Sequence, residues 1–295
     1  MSALFPFRAL RPAPAAAAQV ASVPYDVVDA AEARALAEGN PLSFLHVTRS
    51  EIDLPEGVDP YDARVYERAR QNLDRLIASA LLVVDDEPSL YCYRLRMGQH
   101  VQTGLAGCFS VDEYERDLIR KHEKTRRDKE DDRTRHIVEL RAQTGLVFLT
   151  YRAWPDIGAI VDRVTQGAPE YHFTAPDGVE HTIWRAAGTD RDALVKAFAA
   201  IDVLYIADGH HRAASAARAH RTLVERGEAT EESGRFVAVA FPHDQMQILP
   251  YHRVVKDLAG MTPEAFIDAV GRVAGLGDGG PSPDAAGRVS KYVAG

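Results

Sequence analysis

Cysteine is nearly missing from this chain: Cys92 and Cys108 are the only two in 295 residues. Two are too few for a disulfide framework, so a reducing, cytoplasmic setting is expected. Long apolar runs are missing too. None reaches the length that spans a bilayer, and Met1 to Val20 has no basic start and three prolines, so neither a membrane segment nor a secretory signal is expected. Net positive charge is absent: 35 Lys and Arg face 43 Asp and Glu, a balance of −8. Phosphate-backbone binding needs clustered positive charge, so direct nucleic-acid binding is not expected, although a local basic pocket is compatible. No G-x-x-x-x-G-K-[ST] loop and no G-x-S-x-G elbow occurs, which disfavours a P-loop ATPase and an α/β hydrolase. The 11 histidines lack the i, i+4 spacing of a zinc helix; His210 and His211 are adjacent and point in different directions, so no metal ligands are assigned. A magnesium ion carried in by phosphates needs only one or two protein carboxylates and remains compatible.

What is present is enough apolar sequence, 46%, to bury one large core or two ordinary ones. Hairpin patterns alternate with helical ones and no internal repeat is seen. The fold class expected is α/β in the mixed α+β sense, with hairpins and helices around a mixed sheet. Strands are expected at Phe5–Leu10, Ser43–Thr48, Val147–Tyr151, Phe236–Phe241 and Gln247–Val255. Hairpins are expected over Ser89–Met97 with Val101–Phe109, and over Tyr171–Thr174 with Glu180–Arg185. Helices are expected after Asp29, from Asp59 to Ser79 with Tyr66, Leu73, Leu76 and Ile77 on one face, from Asp112 into a charged run, over Ile157–Val164, after a Thr189 cap, and after Thr262-Pro263-Glu264. Four parts follow: an N-terminal α/β part (1–110), a charged mobile loop or helix (111–145), a part carrying the Asp-Gly-His-His-Arg turn (146–276), and a linker opening a truncated C-terminal part (277–295).

The most informative stretch is Leu204 to His220. A short apolar strand runs into Asp208-Gly209-His210-His211-Arg212 and then an alanine-rich helix. Asp208 is a good N-cap residue and Gly209 permits the sharp bend. The first N–H groups of a helix are unpaired and the dipole favours negative charge, so this end can cradle a phosphate, with Arg212 as a fork and an imidazole as donor or proton carrier. The alternative is a capped helix with surface histidines. Three other stretches carry the same choice. The run His122-Glu123-Lys124-Thr125 is either a loop closing over a polyanion or a solvated helix face with Glu123 and Arg127 at i, i+4; composition favours the latter. Asp26 ends Val23-Pro24-Tyr25-Asp26 as a base facing a pocket or as an ordinary turn residue. His252 and Arg253 supply charge to the pocket or alternate along an edge strand.

The chain resembles the family named domain of unknown function 1015 over nearly its whole length. The resemblance rests on Phe5-Pro6-Phe7-Arg8-Ala9, Pro24-Tyr25-Asp26-Val27, Phe44-Leu45-His46-Val47, His122-Glu123-Lys124-Thr125 with Asp131-Asp132-Arg133, Ala207-Asp208-Gly209-His210-His211-Arg212, and Leu249-Pro250-Tyr251. Val23 and Arg127 stand where that family usually has proline. The Asp-Gly-His-His-Arg turn is also similar to the one in the ParB/sulfiredoxin-like superfamily, which includes free L-serine kinases that hold nucleotide phosphates there. A sulfiredoxin turn carries cysteine; this one carries His210 and His211. The resemblance implies a small-molecule phosphotransferase, a kinase of free L-serine or a similar hydroxyl compound, using ATP, ADP or pyrophosphate with Mg2+. Asp208, Asp26, Glu123 and His210 would be catalytic. Gly209, His210, His211, Arg212, Lys124, Thr125 and Arg126 would bind phosphate or nucleotide. The alternatives are a ParB-like nucleotide-binding regulatory module and a phosphate-ester hydrolase.

Overall fold

The computed structural model describes residues 3–79, 81–249, 255 and 257–273. The chain begins with β1 (Leu4–Phe5) and β2 (Leu10–Pro12), then α1 (Ala17–Val20), α2 (Ala30–Ala37), α3 (Leu45–Thr48) and α4 (Ala63–Ala78). Next come β3 (Leu82–Val84), β4 (Leu90–Met97), β5 (His100–Ser110), α5 (Val111–Glu115), β6 (Ile119–Arg120), α6 (Arg127–Leu140) and β7 (Val147–Tyr151). They are followed by α7 (Pro155–Val164), β8 (Tyr171–Thr174), β9 (Glu180–Ala186), α8 (Gly188–Phe198), β10 (Leu204–Asp208), α9 (His210–Glu225) and β11 (Arg235–Pro242). These elements lie in one unit, Met1–Met246; a second unit, Gln247–Gly295, contains α10 (Pro263–Val273), whose start is capped by Thr262 Oγ1 accepting from Ala265 N at 3.3 Å.

Local chemistry explains most boundaries. Asp29 starts α2 with a capping box: its carboxylate accepts from Ala31 N and Glu32 N, and Glu32 accepts from Asp29 N. Several expected boundaries are corrected. The Phe5–Leu10 strand is split after Phe5 by Pro6, leaving a single bridge from Phe7 to Ser89. Ser43–Thr48 is not a strand; Leu45–Thr48 is one helical turn, preceded by the Ser43 hydroxyl accepting from Leu45 N at 3.4 Å. A short apolar run does not distinguish the two states, and burial of Leu45, Val47 and Thr48 suits either. Asp62, not Asp59, caps α4, and Ile77 lies off its buried face, 41% exposed. The helix expected from Asp112 stops at Glu115, before Asp117 turns the backbone to φ 61°. α8 starts at Gly188 after Ala187, without a side-chain cap from Thr189. Gln247–Leu249 and Val255 form no strand; residues 250–254 of that expected strand, including His252 and Arg253, and the 277–295 segment lie outside the described residues.

Nine strands form one mixed sheet in the order β6-β10-β7-β11-β5-β4-β9-β8, with β1 added antiparallel to β5. β6 with β10 and β7 with β11 are parallel; the remaining neighbours are antiparallel. The principal core joins Leu105, Phe109, Leu149, Leu204, Ile206 and Phe236 of the sheet to Ile157, Leu194, Phe198 and Ala213 of α7, α8 and α9. A smaller core gathers α1, α4 and Val47 around Leu73, Leu76 and Leu140. Among the described residues no helix is long and apolar enough to cross a membrane.

Candidate functional site

The sheet topology decides which segments meet. β6 and β10 run parallel, with Leu204 opposite Ile119 and Tyr205 opposite Arg120. Their C-terminal ends therefore reach the same end of the sheet, where α9 begins and the 121–126 loop leaves. β7 runs antiparallel to β10 and enters from that end, so residues 142–146 arrive there as well. The carboxyl ends of strands are where open α/β sheets place ligands.

Gly209 makes the turn into α9. It is the N-cap, at φ 89°, and a Cβ there would lie 3.4 Å from Val147 Cα, so both conformation and space call for glycine. The expected Asp208 cap is not formed. Asp208 ends β10 and sends its carboxylate toward Arg212 Nη1, 3.6 Å away. The start of α6, at Arg126, is also uncapped by any side chain. The two helices run side by side in the same direction. His211 Nε2 accepts from Arg126 N at 3.0 Å, the Ser215 hydroxyl donates to Glu130 O at 3.3 Å, and Arg218 pairs with Glu130 at 3.1 Å. Two positive dipole ends thus share one place, with the first N–H groups of both helices directed there.

The 121–126 loop lies across this double start, held by both histidines. His210 is 3% exposed; its Nε2 accepts from His122 N at 3.4 Å, which puts the ring proton on Nδ1, 3.5 Å from Glu123 Oε2. Burial, and then the neighbouring His122, push the His210 pKa below its ordinary value, against the pull of Glu123 and Asp208. Thr125 donates to Glu130, and Arg126 pairs with Asp128 at 2.8 Å. Lys124 and Arg127 are exposed and form no ion pair among the described residues. The loop is not helical, so Glu123 and Arg127 do not pair as i, i+4 neighbours, and the solvated-helix reading fails for residues 121–126.

Arg212 joins this end to the N-terminal part of the chain. Its Nη2 donates to both Asp26 oxygens at 2.7 Å, and its Nη1 to Leu146 O at 2.8 Å. Burial opposes the charge, but Asp26 and Asp208 more than offset this and raise the pKa. The fork is therefore already engaged by Asp26, rather than open as the turn sequence suggests. Asp26, 43% exposed, lies on the short 3-10 turn Tyr25–Val27. The Tyr25 ring is held between the Arg133 guanidinium at 4.2 Å and that of Arg212 at 5.6 Å, and burial raises its pKa.

The residues singled out from sequence, apart from His252 and Arg253, which lie outside the described residues, thus gather at one end of the sheet, though in altered roles. Glu123, Lys124, Thr125, Arg126, Asp208, Gly209, His210 and His211 surround the helix starts, and Asp26 is attached through Arg212. Sequence reasoning missed Tyr25 as a wall, Arg133, Gly145 and the Leu146 carbonyl. Tyr25 and Arg133 fell inside the quoted stretches, so only their pairing was hidden. Among the described residues no group of three or more His, Cys, Asp or Glu side chains is arranged to hold an ion. Asp26, Asp208 and Glu123 each face a cation or an imidazole instead. The described residues thus offer no pre-built magnesium cage.

The described residues define a mixed α/β fold with a loop lying across two neighbouring helix starts. The family model described as "Protein of unknown function (DUF1015)" matches residues 4–294, and the chain belongs to that family. No curated protein and no solved structure matches it.

Proposed function

We propose that this protein is a cytoplasmic small-molecule phosphotransferase, a kinase of free L-serine or a similar hydroxyl compound with ATP, ADP or pyrophosphate as donor. The observation that carries the reading is the double helix start: two uncapped N-termini side by side, crossed by a loop bearing Lys124 with Arg127 next to it. Such an end binds the oxygens of a polyphosphate through backbone N–H groups and dipoles, and positioning and charge stabilisation dominate phosphoryl transfer. Mg2+ would travel with the donor phosphates and neutralise part of their charge. Asp26, oriented by Arg212, takes the hydroxyl proton; the acceptor oxygen bonds to phosphorus as the donor's bridging P–O bond breaks, and the electron pair leaves on the departing phosphate. His210 and Glu123 set the loop in place, and the loop excludes water. The two thiols, Cys92 and Cys108, are free and pushed up to about 12 by burial, which suits a protein without thiol chemistry.

The test is direct. Purified protein is incubated with L-serine, Mg2+ and each of the three donors, and phosphoserine is measured by mass spectrometry. Product with at least one donor supports the reading; no product with any of them overturns its serine form. Phosphate release without an acceptor would instead identify a hydrolase.

A further inference from the structure

The two histidines of the turn hold the loop in the same way, and in only one protonation state. No backbone N–H of residues 122–126 meets a backbone carbonyl. Two of them donate to imidazoles instead, His122 N to His210 Nε2 at 3.4 Å and Arg126 N to His211 Nε2 at 3.0 Å. These contacts stand at the two ends of the segment. Lys121 anchors the chain before it by donating to Tyr114 O at 2.6 Å, and Thr125, donating to Glu130, is a tie that needs no imidazole. An imidazole accepts only through an unprotonated nitrogen, whereas the imidazolium is a donor at both. A proton on either Nε2 would therefore set N–H against N–H.

We infer that His210 and His211 form a proton-operated latch: as neutral acceptors they hold the 121–126 loop across the two helix starts, and a proton taken up by either ring releases the loop and leaves a cationic donor facing the uncovered ends. The open loop binds more protons than the closed one, so falling pH favours opening. The surroundings keep the latch shut at neutral pH. His210 opens α9, where the helix dipole disfavours a cation, and burial and the His122 ring, 4.4 Å away between centroids, hold its pKa below the ordinary value. The other groups around His210 are Glu123 from the loop, Asp208 from β10 and His211 beside it. Glu123 pulls the other way, but its side chain is 56% exposed and 3.5 Å from Nδ1, so solvent screens the attraction. His211 faces the backbone of Arg126, whose side chain is paired with Asp128 of α6. That the uncovered ends then receive a phosphate rests on the reading above; the release of the loop does not.

The full chain, labelled with 15N, is followed by NMR at about pH 7.5 and about pH 5, on either side of the ordinary histidine range. At the higher pH both rings should carry their proton on Nδ1 and leave Nε2 free. Exchange protection, corrected for the intrinsic effect of pH, is read at His122 N and Arg126 N. On going to the lower pH it should fall roughly 2- to 12-fold beyond any fall at Leu149 N in the core, the value of one net hydrogen bond. His210→Gln and His211→Gln supply an acceptor that cannot charge, and each should abolish the extra fall at its own amide. If circular dichroism finds the buried His210 variant misfolded, the His211 variant and the ring tautomers decide. The inference is overturned if either ring carries its proton on Nε2 at the higher pH, if the two amides fall no further than Leu149, or if the glutamine variants keep the parent's response. Pyrophosphate, titrated calorimetrically at about pH 6.5 in two buffers of different ionisation enthalpy, should bind with net proton uptake. Binding without uptake would overturn the coupling of latch to site; no binding would count against the phosphotransfer reading, while the loop measurements still decide the latch.

Discussion

His136 gives the most quantitative handle on the fold around the site. It lies on α6, 3% exposed, and its Nε2 donates to Val47 O at 3.0 Å. Burial first, and then the charge of Arg133, bring its pKa down to about 3. In the folded protein the ring is thus neutral at any pH above about 3, whereas in the unfolded chain it charges below about 6.5. Between these values the unfolded state holds one more proton, so stability falls as pH falls. Going from pH 7.5 to 5.0, linkage at about 1.4 kcal/mol per unit gives a loss of about 2 kcal/mol from this residue. Carboxylates titrating over the same range add their own losses, so the parent is compared with His136→Gln, which keeps an N–H for Val47 O but cannot charge. Urea unfolding at both pH values should show the parent losing about 2 kcal/mol more than the variant. Parallel losses, within about 0.5 kcal/mol, would refute the assignment of His136 as a buried neutral imidazole.

Gly209→Ala should lower unfolding stability by about 1–2 kcal/mol in denaturant titration, because φ 89° is unfavourable for a side chain and Val147 lies close. His211→Ala removes the acceptor for Arg126 N, so trypsin should cut at Lys124, Arg126 or Arg127 roughly 2- to 12-fold faster, the value of one net hydrogen bond. An unchanged cleavage rate would mean that His211 does not hold the loop. His46 sits between Asp53 Oδ1 at 2.8 Å and Asn40 O at 3.2 Å, and its pKa is raised, chiefly by the Asp53 hydrogen bond. Its stabilisation is complete below the unfolded value and fades as pH rises through the folded one, so the stability gap between the parent and His46→Gln should be larger at pH 6 than at pH 9. An equal gap at both would show that His46 is not held as a cation.

Much of this architecture could be read from periodicity and turn chemistry. The Pro176-Asp177-Gly178 hairpin, the Asp29 cap and the strand-to-helix turn at Gly209 are local decisions, made by residues within one or two turns of one another. Where local signals were equivocal the reading failed: Ser43–Thr48 has the composition of a strand and the length of a helical turn. Asp208 misled for another reason. A good capping residue lost the position to Gly209, which alone tolerates the backbone there, and turned to Arg212 instead. The rest of the site depends on partners far away in sequence. Nothing near Arg212 announces that Asp26 will occupy its fork, or that Gly145 will pack against its stem. Those pairings exist only once β6, β10 and β7 have taken their places in the sheet.

The parallel pairing of β6 with β10 also bears on the order in which the molecule assembles. The β4–β5 and β8–β9 hairpins close short loops and need little chain ordering before their contacts form. Bringing Ile119 to Leu204 closes a far longer loop, through α6, β7 and the whole β8–β9 hairpin, before any contact rewards it. The two hairpins can therefore form early, whereas the end that carries the histidines, Arg212 and Asp26 waits for this longer closure, as does the pairing of β4 with β9. A ligand seated there would act as a clasp on a seam that closes late, and its protection against hydrogen exchange should concentrate in β6, β10 and the start of α9 rather than in the hairpins.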